Sequence, residues 1–216
     1  MKKTGVVIGL GEFGFHAAKA LSKEGCSIIA VDINEKKVNQ IKDYVLKAVV
    51  ADSSQRRSLE QLIPKECDFI IVAIGNIEKS MITTLYLKEI GYSYLCVKAI
   101  TDEHERILRL LGVENIIFPE RDMALRVAAK VVYSNMLDYL PLSDNYSIAE
   151  LKPKKECLGK TLMEIDFRKK YGLNIIAVQN KEERISYFTP TSEHIIGNSD
   201  ILMVIGERIK IEKYSS

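Results

Sequence analysis

Residues 5–14 read Gly-Val-Val-Ile-Gly-Leu-Gly-Glu-Phe-Gly, an apolar β-branched run leading directly into glycines at positions 9, 11 and 14. This arrangement constrains the fold more than any other feature of the chain. A strand that ends in a glycine turn and opens a helix needs a first glycine for the tight turn. A second lets the backbone approach a pyrophosphate, and a third lets helix and strand pack closely. The exposed amides and the helix dipole at such a turn favour an anionic phosphate. Val31-Asp32 closes the next apolar run, roughly 20 residues on, where a carboxylate accepts from both hydroxyls of a ribose. Asp32 also has a local alternative as N-cap of the following helix. An acid there disfavours a 2′-phosphate, and so favours NAD over NADP.

The surrounding pattern supplies the context that the motif requires. Short apolar runs recur at residues 5–9, 27–31, 48–51, 69–73, 94–97 and 116–118, with mixed-polarity helical segments between them. Buried parallel strands read as continuous apolar runs because both faces are covered. Their alternation with helices predicts βαβ units in a Rossmann-type, doubly wound α/β sheet. Ligands of such sheets bind at the carboxyl ends of the strands. On that rim the sequence places Asp52 and Ser53 after the third strand, Ile74 and Gly75 after the fourth, and Lys98 at the end of the fifth. Asp52 either holds an adenine edge or caps the next helix. Lys98 either meets a phosphate as a point charge or is an ordinary solvated lysine.

From Glu120 to about Leu140 the spacing predicts one long helix, with Asp122, Arg126 and Lys130 four apart on a polar stripe. Its apolar arc is wider than one sheet face covers. It is either a well-buried final helix or one that crosses to a second subunit. Pro141-Leu142-Ser143-Asp144-Asn145 reads as a linker. Beyond it, residues 146–151, 174–178, 185–189 and 201–205 read as strands and residues 162–171 as a helix, which predicts a small α+β domain.

Composition excludes several classes. The chain has 31 basic against 29 acidic residues, a net charge of +2, which gives no footprint for nucleic acid or a membrane surface. Cys26, Cys67, Cys96 and Cys157 are scattered, as are His16, His104 and His194. A disulfide framework or structural zinc site is therefore not expected, and a reducing, cytoplasmic compartment is. No apolar run reaches the roughly 18 residues of a membrane span. The basic start, Met1-Lys2-Lys3-Thr4, meets an apolar run too short for a signal peptide. The C-terminal part offers no nucleophile–base set, no paired acids and no metal-spaced cluster, and His194 reads as a solvated loop residue. Nucleotide binding without catalytic groups points to a sensor rather than an enzyme.

Several stretches resemble the regulator-of-potassium-conductance family of the Ktr/Trk potassium-uptake type. They are Gly5-Val6-Val7-Ile8-Gly9-Leu10-Gly11, Ala30-Val31-Asp32-Ile33-Asn34-Glu35-Lys36-Lys37-Val38 and Ile70-Ile71-Val72-Ala73-Ile74-Gly75. Ile116-Ile117-Phe118-Pro119-Glu120-Arg121-Asp122-Met123 and Tyr171-Gly172-Leu173-Asn174-Ile175-Ile176-Ala177 complete the set. The resemblance implies a nucleotide-binding domain at residues 1–120, a crossover helix and linker at 121–142 and a regulatory domain at 143–216. It implies an adenine nucleotide, ATP, ADP or NAD(H), held by Gly9, Leu10, Gly11, Glu12, Phe13, Gly14, Asp32, Asp52, Ser53, Ile74, Gly75 and Lys98. It implies homodimers assembled into an octameric ring on the cytoplasmic face of a membrane potassium translocator. The translocator spans the membrane and this chain does not. It further implies cyclic di-AMP at Asp166, Arg168, Asn174, Ile175 and Pro190, with Arg168 otherwise a surface helix charge. A divalent cation, Mg2+ or Ca2+, would sit at Glu120, which is otherwise a favourable acid at a helix start. Alternative roles are regulation of a cation/proton antiporter or another channel, and a small NAD-dependent oxidoreductase. One departure stands inside the glycine motif. The family usually carries arginine where this chain has Glu12, and a carboxylate repels the phosphate that arginine reaches.

Overall fold

The computed structural model describes residues 2–180, 182 and 185–216, with residues 185–188 described as backbone. The chain divides into two compact units, one ending at Pro119 and the other beginning at Glu120.

In the first unit, strands and helices alternate: β1 (Thr4–Ile8), α1 (Glu12–Lys23), β2 (Ser27–Asp32), α2 (Glu35–Ile41), β3 (Lys47–Val50) and α3 (Arg56–Leu62). There follow β4 (Phe69–Val72), α4 (Ile77–Ile90), β5 (Leu95–Lys98), α5 (Asp102–Leu110) and β6 (Asn115–Ile117). The strands form one six-stranded sheet in the order β3-β2-β1-β4-β5-β6. All its pairings are parallel. The continuous apolar strands are explained by two cores. Val6, Ile8, Val31, Ile70 and Val72 point to one face, where Leu59, Leu87 and Leu108 of α3, α4 and α5 cover them. Val7, Ile28 and Ala30 point to the other, beneath Ala18, Val38 and Ile41 of α1 and α2. Each large side chain buried in this way contributes roughly 1.5–3 kcal/mol. The chain leaves β1 first towards β2 and later returns to pair β4 on its other side. The carboxyl ends of β1 and β4 therefore flank the crevice where the strand order reverses.

The second unit holds α6 (Pro119–Val132), β7 (Met136–Pro141), β8 (Tyr146–Leu151), α7 (Leu162–Ile165) and α8 (Phe167–Tyr171). It continues with β9 (Asn174–Asn180), β10 (Ile185–Phe188), β11 (Asp200–Glu207) and α9 (Arg208–Ser215). Its antiparallel sheet has the order β10-β9-β11-β8-β7. Its core joins Tyr139, Leu151, Phe167, Leu173, Leu202 and Tyr214.

Three expectations for this unit are corrected. The helix from Glu120 does not reach Leu140: α6 ends at Val132, and residues 136–141 form edge strand β7. The over-wide apolar arc was the sum of two elements. Met136 and Tyr139 are buried in the second core from a strand paired with β8, a contact that spacing along the chain cannot reveal. The residues read as a linker are a hairpin turn, in which Leu142 and Ser143 both donate N–H to the Tyr146 carbonyl, at 2.9 and 3.1 Å. The helix over 162–171 is broken in two at Asp166, whose φ is 43° and whose carboxylate accepts from the Lys169 N–H. Helix α9, which buries Ile211 and Tyr214, carries too weak an apolar pattern to be read in advance.

Candidate functional site

The glycine turn is built from three different physical demands. Gly9 has φ of +93°, and a Cβ there would sit 2.7 Å from the Ala73 carbonyl oxygen at the end of β4. At Gly14 a Cβ would lie 1.9 Å from the carbonyl oxygen of Gly9 and 3.2 Å from the Ala73 side chain. These two glycines are required by close backbone packing. Gly11 has φ of −66° and ψ of −176°, a conformation open to any residue, and a Cβ would meet nothing within 4 Å. Gly75, at the end of the neighbouring strand, likewise has no left-handed φ and nothing within 4 Å. Of the twelve glycines, these two alone combine an ordinary φ with empty space, and both stand on the crevice.

Helix α1 starts at Glu12 with Gly11 as its N-cap and no side-chain cap. By contrast, α2, α4 and α5 are capped by Asn34, Asn76 and Thr101. The α1 terminus thus presents its amides and dipole without an internal acceptor. Phe13 follows Glu12 in this first turn. The Glu12 carboxylate is fully exposed, its nearest basic group being His16 at 4.0 Å.

Asp32 ends β2 and ties the turn together. Its Oδ2 accepts the Leu10 N–H at 2.6 Å and its Oδ1 accepts the Asn34 N–H at 2.8 Å. The N-cap of α2 is Asn34, so Asp32 is not the cap. It buttresses the glycine loop and retains lone pairs on both oxygens for further donors.

Beyond β3, Asp52 Oδ1 accepts from both the hydroxyl and the amide of Ser54, at 2.6 and 3.0 Å. Those bonds, aided by Lys79 at 4.0 Å, hold its carboxyl below the usual range. Gln55 occupies the N-cap position of α3 without a side-chain capping bond, and the Asp52 carboxylate is bonded to Ser54 instead, so Asp52 shapes the turn rather than the helix. Ser53 accepts the Thr83 hydroxyl on both its carbonyl and its own hydroxyl, at 3.1 and 3.2 Å. Ile74 packs into the core beneath Gly75. Lys98 ends β5, two strands from β1, which corresponds to roughly 10 Å across the sheet. Lys79, in the first turn of α4, was not singled out from the sequence. Its only signal there was its position shortly after Gly75.

In the second unit, Asp166 caps α8, and Arg168 lies exposed in that helix. Asn174 and Ile175 open β9. The pairing of Phe188 with Ala177 and the Thr189 N–H to Ile176 carbonyl bond (3.0 Å) bring Pro190 to the level of Ile175. Glu120 is exposed in the first turn of α6. Among the described residues no three His, Cys, Asp or Glu side chains form a metal-holding group. His194 is not the solvated residue expected: its Nε2 lies 3.1 Å from Oδ2 of buried Asp200. Asp200 also accepts the Gly197 N–H at 2.9 Å and the Asn180 amide at 3.1 Å, which pins the loop before β11.

A parallel sheet with a glycine turn and an acid at its crevice, joined to a small α+β unit, defines a Rossmann-type nucleotide-binding protein. Residues 5–119 match the TrkA-N domain family. The chain is 44% identical to the Ktr system potassium uptake protein C of Bacillus subtilis, over 99% of this chain and 96% of that protein. It is 37% identical to the Ktr system potassium uptake protein A of the same organism, over 97% and 94%. The chain belongs to the TrkA-N domain family and, within it, to the Ktr potassium uptake proteins. Among solved structures, the GsuK RCK domain superposes with a TM-score of 0.70 at 19% identity, covering 100% of this chain and 48% of that one. The GsuK channel bound to NAD gives 0.67 at 18%, covering 100% and 40%. The chain thus spans half or less of the length of these structures, which share its fold.

Proposed function

We propose that this chain is a cytoplasmic, non-catalytic regulatory subunit that binds an adenine nucleotide and sets the activity of a membrane potassium translocator on another chain. The observation that carries the reading is the pair of glycines, Gly11 and Gly75, that neither backbone conformation nor packing requires. Only a ligand lying against both strand ends gives their missing side chains a purpose. In this reading the pyrophosphate lies on the Gly9–Gly14 turn at the uncapped start of α1, and the ribose hydroxyls donate to Asp32. Asp52 and Ser53 meet the adenine side, Ile74 and Gly75 form a wall, and Lys79 and Lys98 face phosphate charge. Glu12 disfavours an uncompensated terminal phosphate, so ATP needs a bridging cation here.

The assembly follows from α6. Met123, Val127 and Val131, four apart on one face of α6, are each at least half exposed, an apolar stripe that a second copy would take out of water. A second copy covers it, and dimers build the octameric ring. Glu120 at the start of α6 holds a divalent cation, Mg2+ or Ca2+, between subunits. Asp166, Arg168, Asn174, Ile175 and Pro190 receive cyclic di-AMP, with the Arg168 guanidinium on phosphate. Ligands that bind one ring shape better shift its population, and the translocator responds.

The test is a thermal-shift screen over ATP, ADP, NAD, NADH and cyclic di-AMP, with and without divalent cations. A ligand at 100 times its dissociation constant stabilises by about 2.7 kcal/mol. A nucleotide-induced rise that Asp32→Asn reduces at equal ligand concentration supports the reading, and no rise with any nucleotide overturns it. Light scattering that reports a strict monomer at micromolar concentration overturns the ring.

A further inference from the structure

At one end of the antiparallel sheet, β8 runs out into Lys152-Pro153-Lys154-Lys155. These residues border a cavity of about 590 Å³ that also meets Asn135, Glu156 and Asn198. It shares no residue with the glycine crevice or with the Asp166–Pro190 group. Its volume lies within the roughly 300–1,000 Å³ of small-molecule sites.

The walls are held on three sides by hydrogen bonds from backbone amides. The Lys152 N–H donates to the Asn135 carbonyl at 2.8 Å, and the Lys154 N–H donates to the Tyr214 hydroxyl at 3.0 Å. The strip carrying Asn198 is clamped by Gly159 N–H to Ile196 carbonyl and Ile196 N–H to Lys160 carbonyl bonds, at 2.9 and 3.0 Å. Pro153 stiffens the loop further. Three ammonium groups are therefore carried on a fixed frame rather than a loose tail.

The single acid of the cavity is already engaged. Glu156 accepts from Lys170 Nζ at 2.9 Å and from the Tyr171 hydroxyl. Lys152 and Lys155 make no ion pair among the described residues, and Lys154 rests 5.0 Å from the centre of the Tyr214 ring. Positive charge is thus concentrated here in a chain whose net charge is only +2. The amides of Asn135 and Asn198 add uncharged donors. Point-charge ammoniums beside amide donors suit phosphate oxygens.

We propose that this cavity is an additional anion site that takes phosphate groups, either those of a free polyphosphate or those of anionic lipid headgroups. The experiment uses the full chain saturated with ADP, so that the glycine crevice does not contribute. Inorganic tripolyphosphate is titrated calorimetrically at low and moderate salt. In parallel, the protein is sedimented with vesicles of phosphatidylglycerol and phosphatidylcholine or of phosphatidylcholine alone. The Lys152→Gln/Lys154→Gln/Lys155→Gln variant is expected to lose at least tenfold in affinity for the probe that binds. Its ADP affinity and urea midpoint should be unchanged, and wild-type binding should weaken with salt. Binding of tripolyphosphate assigns a free anion, and capture by phosphatidylglycerol vesicles alone assigns a headgroup. Binding of neither probe overturns the proposal. So does a triple variant that binds like the wild type, or a loss that follows Arg168→Gln instead. Should the triple variant unfold early, the Lys152→Gln/Lys155→Gln pair, with both side chains exposed, serves as the same test.

Discussion

Replacing Gly11 with alanine adds one methyl group to the rim of the crevice, and the structure gives separate expectations for stability and for binding. The backbone at Gly11 is extended, and the new Cβ meets nothing within 4 Å. Fewer unfolded conformations favour alanine by about 0.4–1 kcal/mol, while alanine is the poorer N-cap by a similar amount. The net change in unfolding free energy should stay within about 1 kcal/mol. In the complex, the same methyl stands where a phosphate oxygen must approach the α1 amides. Losing one charge-assisted bond costs about 1.5–3 kcal/mol, a drop of roughly ten- to a hundredfold in affinity. Gly14→Ala is the internal control with the opposite signature. Its Cβ would lie 1.9 Å from the Gly9 carbonyl oxygen, so α1 must move away from β1, at about 1–3 kcal/mol or more of overpacking. Urea unfolding without ligand and calorimetry with ADP measure the two quantities. A Gly11→Ala protein that binds ADP like the wild type refutes the assignment of that glycine to the ligand. One that loses more than about 2 kcal/mol without ligand refutes the packing argument.

Asp32→Asn removes the charge that receives the Leu10 and Asn34 amides. It should weaken ADP binding at least tenfold while reducing the preference for NAD over NADP, both read by calorimetry. Glu12→Arg should raise affinity for ATP relative to ADP in the absence of divalent cations, and an unchanged ratio would count against repulsion by this carboxylate. His104 is almost fully buried with both ring nitrogens unpartnered, and burial lowers its pKa below the ordinary value of 6.5. The unfolded chain therefore takes up a proton first as pH falls below about 6.5. Stability is fully present above that pH and declines by up to about 1.4 kcal/mol per pH unit until the folded-state pKa is passed. His104→Leu should remove this decline between pH 7 and 5 in urea titrations, and a variant with the same slope would exclude His104 as its source. Arg126→Met breaks the bond from Nη2 to both Asp138 oxygens, at 2.9 and 2.8 Å. It should cost about 1 kcal/mol at this partly exposed site, again read from the urea midpoint.

Much of the nucleotide unit was legible because its instructions are local. A β-branched run, a glycine turn and a helix start lie within ten residues of one another, and Asp32 needed only the end of the second strand to be placed. The same locality set the limits of the reading. Lys79 reaches Asp52 across elements far apart in the chain, and His194 finds Asp200 only once the loop before β11 has closed.

The second unit shows the division most clearly. Residues 146–151 announce a strand through their alternation, whatever surrounds them. Residues 136–141 do not, because Met136, Leu137 and Leu140 fit a helical stripe as well as a strand. Pairing with β8 and burial of Met136 and Tyr139 decide between the two. By itself the sequence determined that this chain builds a parallel nucleotide-type sheet, since covered strands and a glycine turn are written in neighbouring residues. Only the tertiary structure decided where α6 stops, why Gly11 and Gly75 lack side chains, and how three lysines come to frame one cavity. Each of those depends on the space left by residues distant in the chain, and periodicity carries no information about that space.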